Sequence, residues 1–251
     1  MMPLRSIPAK LCRRLLWLAE DLESGVPSRY RRRYADCYAT VRELRRLVPD
    51  GLNVAYDIGA SRGHWAETLH AFFPELRQIV LFEPASDCQE ALRALRLRGT
   101  ETRVEQVALG AAAGVAQLQG RGPSASLRKA TERQEQCFPG SVPEGGETVV
   151  VEALDERALR LGLPPPDIVK LDVQGFEEEV MAGGDKTLAH ARWLVLELSM
   201  VELYAGQRTA GAVLDSLEQR GWTLTGIGYR WYSRDRRLVQ FDALLGRSIN
   251  T

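Results

Sequence analysis

The chain of 251 residues has only three histidines, His64, His70 and His190, and no two stand at the spacing of metal ligands on one element, so no histidine-built metal site is expected. Its four cysteines, Cys12, Cys37, Cys88 and Cys137, are scattered with no Cys-x-x-Cys pair, which argues against a disulfide framework and a thiolate zinc site. Reduced thiols in a cytoplasmic protein are the simplest account. The longest apolar run near the start, Leu15 to Ala19, is too short for a signal-peptide core or a membrane span. An excess of one charge is also missing. The 33 Lys and Arg balance 33 Asp and Glu, so nothing points to nucleic acid as a partner. Internal repeats and low-complexity tracts are absent as well. With 45% hydrophobic residues, this length suffices for one large domain with an appendage.

What is present is concentrated in Val54-Ala-Tyr-Asp57-Ile-Gly59-Ala60-Ser61-Arg-Gly63. A short apolar run ends in a carboxylate and then in two glycines four positions apart. This pattern predicts a buried strand, a tight turn and a helix, the nucleotide-binding corner of a doubly wound sheet. A dinucleotide-binding turn, G-x-G-x-x-G, needs its middle glycine so that the backbone can approach a pyrophosphate. Here that position is Ser61, and Asp57 stands two residues before the first glycine. A carboxylate beside the turn repels phosphate but suits a ligand carrying an ammonium and a sulfonium, such as S-adenosylmethionine. The next apolar run, Gln78 to Phe82, ends in Glu83-Pro84. A carboxylate at the end of the neighbouring strand can accept hydrogen bonds from both ribose hydroxyls of an adenosine. The alternative for Glu83 is a cap on the following helix.

Residues 1–50 form a basic helical segment, with eleven Lys and Arg against six Asp and Glu. Apolar residues from Leu4 to Leu22 step by three or four, and a second periodic stretch runs from Tyr34 to Val48. These helices are expected to pack over the sheet edge, to cover a substrate cleft or to form a homo-oligomer contact. Residues 51–251 form the main domain. Strands are expected over 54–58, 78–83, 103–109, 149–151, 168–173 and 193–198, with a short extra one at 115–118 and helical patterns over 63–72, 86–97, 155–161, 176–189 and 209–220. Two runs near 222–230 and 237–245 suggest a closing antiparallel hairpin. The fold class is α/β, Rossmann-like, mostly parallel with a terminal antiparallel strand. Gly- and Pro-rich residues 120–146 read as a long insertion, expected to act as a lid.

Ligands of open α/β sheets sit outside the carboxyl ends of the strands where strand order reverses. That crevice should lie between the strand ending at Asp57 and the strand ending at Asp172. Asp172 is thus the first candidate for a base that positions an acceptor, and Glu197, ending the next strand, is the second. Glu177 reads as structural, at a helix start where negative charge is favoured, and Lys170 as a paired or snorkelling residue. Trp65, Trp193 and Trp222 are expected in the core, Trp231 less clearly so.

At Asp167-Ile-Val-Lys-Leu-Asp172-Val-Gln174-Gly175-Phe-Glu177 the chain resembles the FkbM family of S-adenosylmethionine-dependent methyltransferases. The turn at Asp57 and Gly59, Phe82-Glu83-Pro84, Val107-Ala108-Leu-Gly110 and Leu196-Glu197-Leu-Ser199…Leu203-Tyr204-Ala-Gly206-Gln207 carry the same resemblance in order, over about residues 52–245. It implies methylation of a hydroxyl on a sugar, glycan or secondary-metabolite scaffold; a divalent ion between Asp172 and Glu197 is the weaker alternative, there being no further acid at clear spacing, and no metal is expected. It puts Asp57, Gly59, Ala60, Ser61, Gly63, Glu83, Pro84, Val107, Ala108 and Asp172 around the cofactor. Ser124, Ser126, Gln174, Glu197 and Tyr204 fall on the acceptor side. The family often has Glu where this chain has Gln174, and its Ser-rich stretch is reduced here to Ser124-Ala-Ser126. Two other readings compete: a module that binds S-adenosylmethionine without turnover, and a nicotinamide-dependent oxidoreductase. Ser61 and the lack of a Tyr-x-x-x-Lys pair speak against the second.

Overall fold

The computed structural model describes residues 26–142 and 144–247, so the helix expected over Leu4 to Leu22 lies outside the described residues. Helices α1 (Ser28–Arg33) and α2 (Ala35–Leu47) lead into strand β1 (Val54–Ile58). Helix α3 (His64–Phe72), strand β2 (Gln78–Phe82), helix α4 (Gln89–Ala94) and strand β3 (Glu101–Glu105) complete the first half. Strands β4 (Ala108–Gly110) and β5 (Gly114–Gln119), helix α5 (Glu132–Cys137), strand β6 (Gly146–Ala153) and helix α6 (Leu154–Leu161) follow. The second half runs through β7 (Ile168–Leu171), α7 (Glu177–Ala182), α8 (Asp185–Leu188), β8 (Trp193–Ser199), α9 (Ala210–Gln219), β9 (Thr223–Tyr232) and β10 (Leu238–Gly246).

The main sheet has the order β3-β2-β1-β7-β8-β10-β9. Its pairs are parallel except that β10 runs antiparallel to both β8 and β9. This is the expected Rossmann-like α/β fold with its closing hairpin, the last strand being inserted one place in from the edge. Strand order reverses at β1, which lies between β2 and β7, so the crevice opens above the turn at Gly59. Strand alternation divides the core into two layers. Ala55, Ile79, Leu81, Ile168, Val195 and Leu244 face α2 and α3, whereas Tyr56, Val80, Val169, Leu194 and Leu196 face the opposite layer with Val180, Val213 and Leu217.

Three expectations need correction. The run 103–109 is not one strand: the chain turns at Gln106, Val107 N–H donates to the Glu105 carbonyl at 3.0 Å, and β4 joins β6 and β5 in a second, three-stranded sheet. Apolar content hides such a turn, because both pieces have strand composition. The helix expected over 176–189 breaks at Gly183-Gly184, where the chain crosses over Gly110. The 86–97 helix is shorter than its pattern, a 3-10 turn over Ser86–Cys88 followed by α4. The insertion 120–146 is tied down in part, with bridges pairing Gln119 with Ser126 and Ala130 with Tyr204. Helix α2 buries Tyr38, Val41 and Leu44 in the same layer as Trp65 and Phe72, so the core continues across residue 50. No described helix is long and apolar enough to cross a membrane.

Gly183 offers a test of this packing. A Cβ there would overlap the carbonyl of Gly110, which overpacks the contact between α7 and β4. Gly183→Ala should cost about 1–3 kcal/mol. Gly211, early in α9, faces open space, and Gly211→Ala should be neutral or stabilise by up to about 1 kcal/mol. Urea unfolding of both variants checks the contrast.

Candidate active site

The turn after β1 is closed by its own backbone. Gly59 N–H and Ala60 N–H both donate to the Phe82 carbonyl, at 3.0 and 3.1 Å, and Gly63 N–H donates to the Ala60 carbonyl at 2.8 Å. Gly59 has φ +77°, and a Cβ there would overlap the Asp172 carbonyl, so only glycine lets the β1 turn meet the β7 loop. Ser61, at φ +47°, gives its N–H to Glu83 Oε2 at 2.7 Å, while Ala85 N–H donates to Glu83 Oε1 at 2.9 Å. Burial pushes the Glu83 carboxyl up, and those two amides partly offset it. Glu83 therefore holds the turn and the start of the next segment together, with a lone pair left on each oxygen.

Beneath the turn sits a cluster centred on Lys170. Its Nζ lies 3.2 Å from Asp57 Oδ1, 3.1 Å from the Gly59 carbonyl and 3.4 Å from Asp172 Oδ2. Burial alone would favour loss of its proton, but Asp57 and Asp172 outweigh that and raise its pKa. Asp57 is 0% exposed, and burial raises its pKa against the pull of Lys170. The structure thus gives Asp57 a different partner from the ligand ammonium that the sequence suggested: it is sealed below the turn and faces Lys170. The expectation that Lys170 is paired agrees with this geometry.

Two cavities open above this cluster. The first is bordered by Gly59, Ser61, Glu83, Pro84, Val107 and Ala108, with Phe82, Leu109, Ser126 and Phe176 among its walls. The second is bordered by Asp36, Thr40, Trp65, Ser124, Lys170, Glu197, Trp231, Gln240 and Asp242. Asp172, Gln174 and Pro123 border both. Of the residues expected around the cofactor or on the acceptor side, Asp57, Ala60, Gly63 and Tyr204 border neither. Tyr204 is fully buried, and its hydroxyl donates to Gln174 Oε1 at 2.7 Å. Gly63 backs onto Leu92 and Leu95.

The second cavity is acidic. Gln174 Nε2 donates to Asp172 Oδ1 at 2.7 Å and to Glu197 Oε2 at 2.9 Å, and Gln240 Nε2 also donates to Glu197 Oε2 at 2.9 Å. Glu197 pairs in register with Asp242 across β8 and β10. Burial, then the charges of Asp172 and Asp242, hold the Glu197 carboxyl well above the usual carboxylate range. Burial pushes Asp242 up to about 7, although the Thr40 hydroxyl donates to it. The sequence reading missed Asp36, Gln240 and Asp242. A signal existed for the last two, which interrupt the apolar run of β10 two residues apart and so share a face. Trp65 was read as core. It is 4% exposed, but it also borders the second cavity, and its indole N–H has no partner. Among the described residues, no three His, Cys, Asp or Glu side chains converge in a metal-binding group.

Residues 57–224 match the family model described as the methyltransferase FkbM domain. The chain belongs to the FkbM methyltransferase family. This FkbM methyltransferase is 31% identical over 189 residues to the 2-O-methyltransferase NoeI of Sinorhizobium fredii strain NBRC 101917 / NGR234, covering 70% of this chain and 75% of that protein. Among solved structures it is similar to a methyltransferase FkbM from Methylobacillus flagellatus KT, with 13% identity and a TM-score of 0.47 over 78% of this chain. The chain spans 44% of that protein's length. It is also similar to magnesium protoporphyrin IX methyltransferase of Synechocystis PCC 6803, at 15% identity and a TM-score of 0.45, covering 85% of this chain and 81% of that one.

In this methyltransferase Glu177 caps the loop after β7, accepting from Val173 N–H at 3.2 Å and Gly175 N–H at 3.1 Å. Burial pushes its carboxyl up to about 7 from 4.5. Above pH 4.5 the unfolded chain ionises this group while the folded chain keeps the proton, so its contribution to stability declines as pH rises towards 7. Glu177→Gln removes that decline. Its stability relative to the unmodified protein should improve by up to about 3 kcal/mol between pH 4.5 and pH 8, as measured by urea unfolding at both values.

Proposed function

We propose that this protein is an S-adenosylmethionine-dependent O-methyltransferase, with the donor in the first cavity and a hydroxyl-bearing sugar, glycan or secondary-metabolite acceptor in the second. The observation that carries this reading is that Asp172 and Gln174 border both cavities, so donor and acceptor meet at one pair of side chains. The first cavity suits the donor's adenosine: Glu83 keeps a free lone pair on each oxygen for ribose hydroxyls, and Phe82, Val107 and Leu109 give apolar walls. It suits a pyrophosphate poorly, because the turn amides of Gly59, Ala60, Ser61 and Gly63 already have acceptors. That disfavours the nicotinamide alternative. NoeI, by its name, transfers methyl to an oxygen, which supports O-methylation here.

The bound donor supplies a methyl group on a sulfonium. The chain's own task is to aim an acceptor oxygen at that carbon and to take its proton, and alignment is the larger contribution. Asp172, 31% exposed at the junction, is placed to orient the hydroxyl and accept the proton. The carboxyl groups of Asp36, Glu197 and Asp242 offer hydrogen-bond partners to further hydroxyls, and the cavity's ammonium, Lys170, is already engaged by Asp57 and Asp172. A neutral polyhydroxyl acceptor fits that lining, whereas a phosphorylated one meets repulsion.

Isothermal titration should show binding of S-adenosylmethionine and S-adenosylhomocysteine and none of NAD; tight NAD binding with no response to the homocysteine product would overturn the assignment. Glu83→Ala should weaken product binding by roughly 1.5–3 kcal/mol, the range for hydrogen bonds to a charged group.

Asp172→Asn is nearly isosteric and should keep the fold and most of the donor affinity. Methyl transfer should fall by about 10²–10⁴-fold, the scale of general-base catalysis. Single-turnover rates and melting temperature measured on one preparation decide this. A stable, donor-binding variant with an undiminished rate would transfer the role to Glu197.

A further inference from the structure

Gln174 stands out on four independent counts. Its backbone lies in the left-handed region, φ +55°, which a non-glycine residue adopts at a cost. Both hydrogen bonds from its Nε2 go to carboxylates, Asp172 Oδ1 and Glu197 Oε2. Its Oε1 is held by the Tyr204 hydroxyl, and its backbone carbonyl accepts from Ser126 Oγ at 2.6 Å. The Asp172 carboxylate on one side of the amide and the donating Tyr204 hydroxyl on the other make the atom facing Asp172 the amide nitrogen, which sets the orientation of the side chain. Tyr204 cannot retreat, because it packs against Gly175, where an added Cβ would stand 3.0 Å from the Tyr204 Cβ.

We propose that Gln174 is the positioning residue of this site: its amide, anchored by Tyr204, binds the carboxylates of Asp172 and Glu197 to one donor and so fixes where an acceptor hydroxyl is received. This rests on the reading of Asp172 as the acceptor-orienting base. It deepens that reading by naming what orients the base. An amide suits the task because it gives two hydrogens and carries no charge. A glutamate in its place would bring a third carboxylate against two that already lie beside Asp242. The charged and titratable groups facing this trio are Lys170 from β7, Asp242 from β10, Glu177 from α7, Asp36 and Cys37 from α2, and Tyr204.

The test is a ¹³C NMR titration of side-chain carboxyls, with Asp172→Asn and Glu197→Gln used to assign the signals. Gln174→Met keeps length and volume but removes the donor, and Gln174→Glu adds the third carboxyl. In both, the Glu197 signal should titrate at higher pH than in the unmodified protein, because the hydrogen bond that favours its charged form is gone. Tyr204→Phe keeps the ring against Gly175 and releases the anchor, so it should move the signal the same way by less. That third variant preserves the test should Gln174→Met not fold. An unchanged Glu197 titration in the folded variants, whatever their melting temperatures, overturns the proposal, since a packing role predicts that result. S-adenosylhomocysteine titration on the same samples separates the two failures: absent binding to the unmodified protein would overturn the donor-site reading, and with it the assignment of Asp172 as the base on which this proposal rests.

Discussion

The ammonium of Lys170 is the point on which the rest of the site depends. It bridges Asp57 below the β1 turn, the Gly59 carbonyl within that turn and Asp172 at the head of β7. These are the two strand ends that flank the reversal of strand order, and a parallel pair has no hairpin to fix its ends. A buried charge network does so instead, at a desolvation cost that is recovered only with all partners present. Removing one partner would leave an uncompensated buried charge, typically a loss of about 3–5 kcal/mol. The same contact fixes the peptide of Gly59 close under Asp172, so the geometry of both cavities follows from it.

Around this point the sheet carries a band of polar residues on one face. Asp57 pairs with Lys170 in register, and Glu197 pairs with Asp242. Each interrupts an apolar strand on the face shared with Ala55, Ile168, Val195 and Leu244. Helix α2 covers this band, with Thr40 reaching Asp242 and the Tyr229 N–H and Asp36 bordering the cavity. The N-terminal segment is therefore part of the wall of the second cavity as well as of the core. Carboxylates confined under such a cover hold their protons more tightly than in water, as Glu197 and Asp242 do.

The strands were legible because each is a short apolar run closed by a turn signal, and the terminal acids Asp57, Glu83, Asp172 and Glu197 could be read as strand ends. Five family motifs follow one another in order, four of them contain these acids, and the family match over residues 57–224 covers them. The second sheet was not legible. Nothing in Arg103 to Leu109 shows that the chain turns at Gln106, because pairing with β6 more than 40 residues later decides it. Likewise Gly183-Gly184 carries no local sign that its reason is close approach to Gly110.

By itself, then, the sequence determined the fold class, the switch point at the β1 turn and the family, since these follow from hydrophobic period, glycine placement and contiguous motifs. Tertiary structure alone decided what each polar side chain faces. Asp57 and Asp172 look alike in sequence, both acids at strand ends. Asp57 is sealed at 0% exposure and spends its charge on Lys170, whereas Asp172 opens at the junction of the two cavities. Asp242 and Asp36 enter the site from opposite ends of the chain, and Gln174 acquires its role from Tyr204, 30 residues on. Local sequence fixes where a side chain sits along its strand; the partner across the sheet and the helix laid over it set its charge state and its access to a ligand.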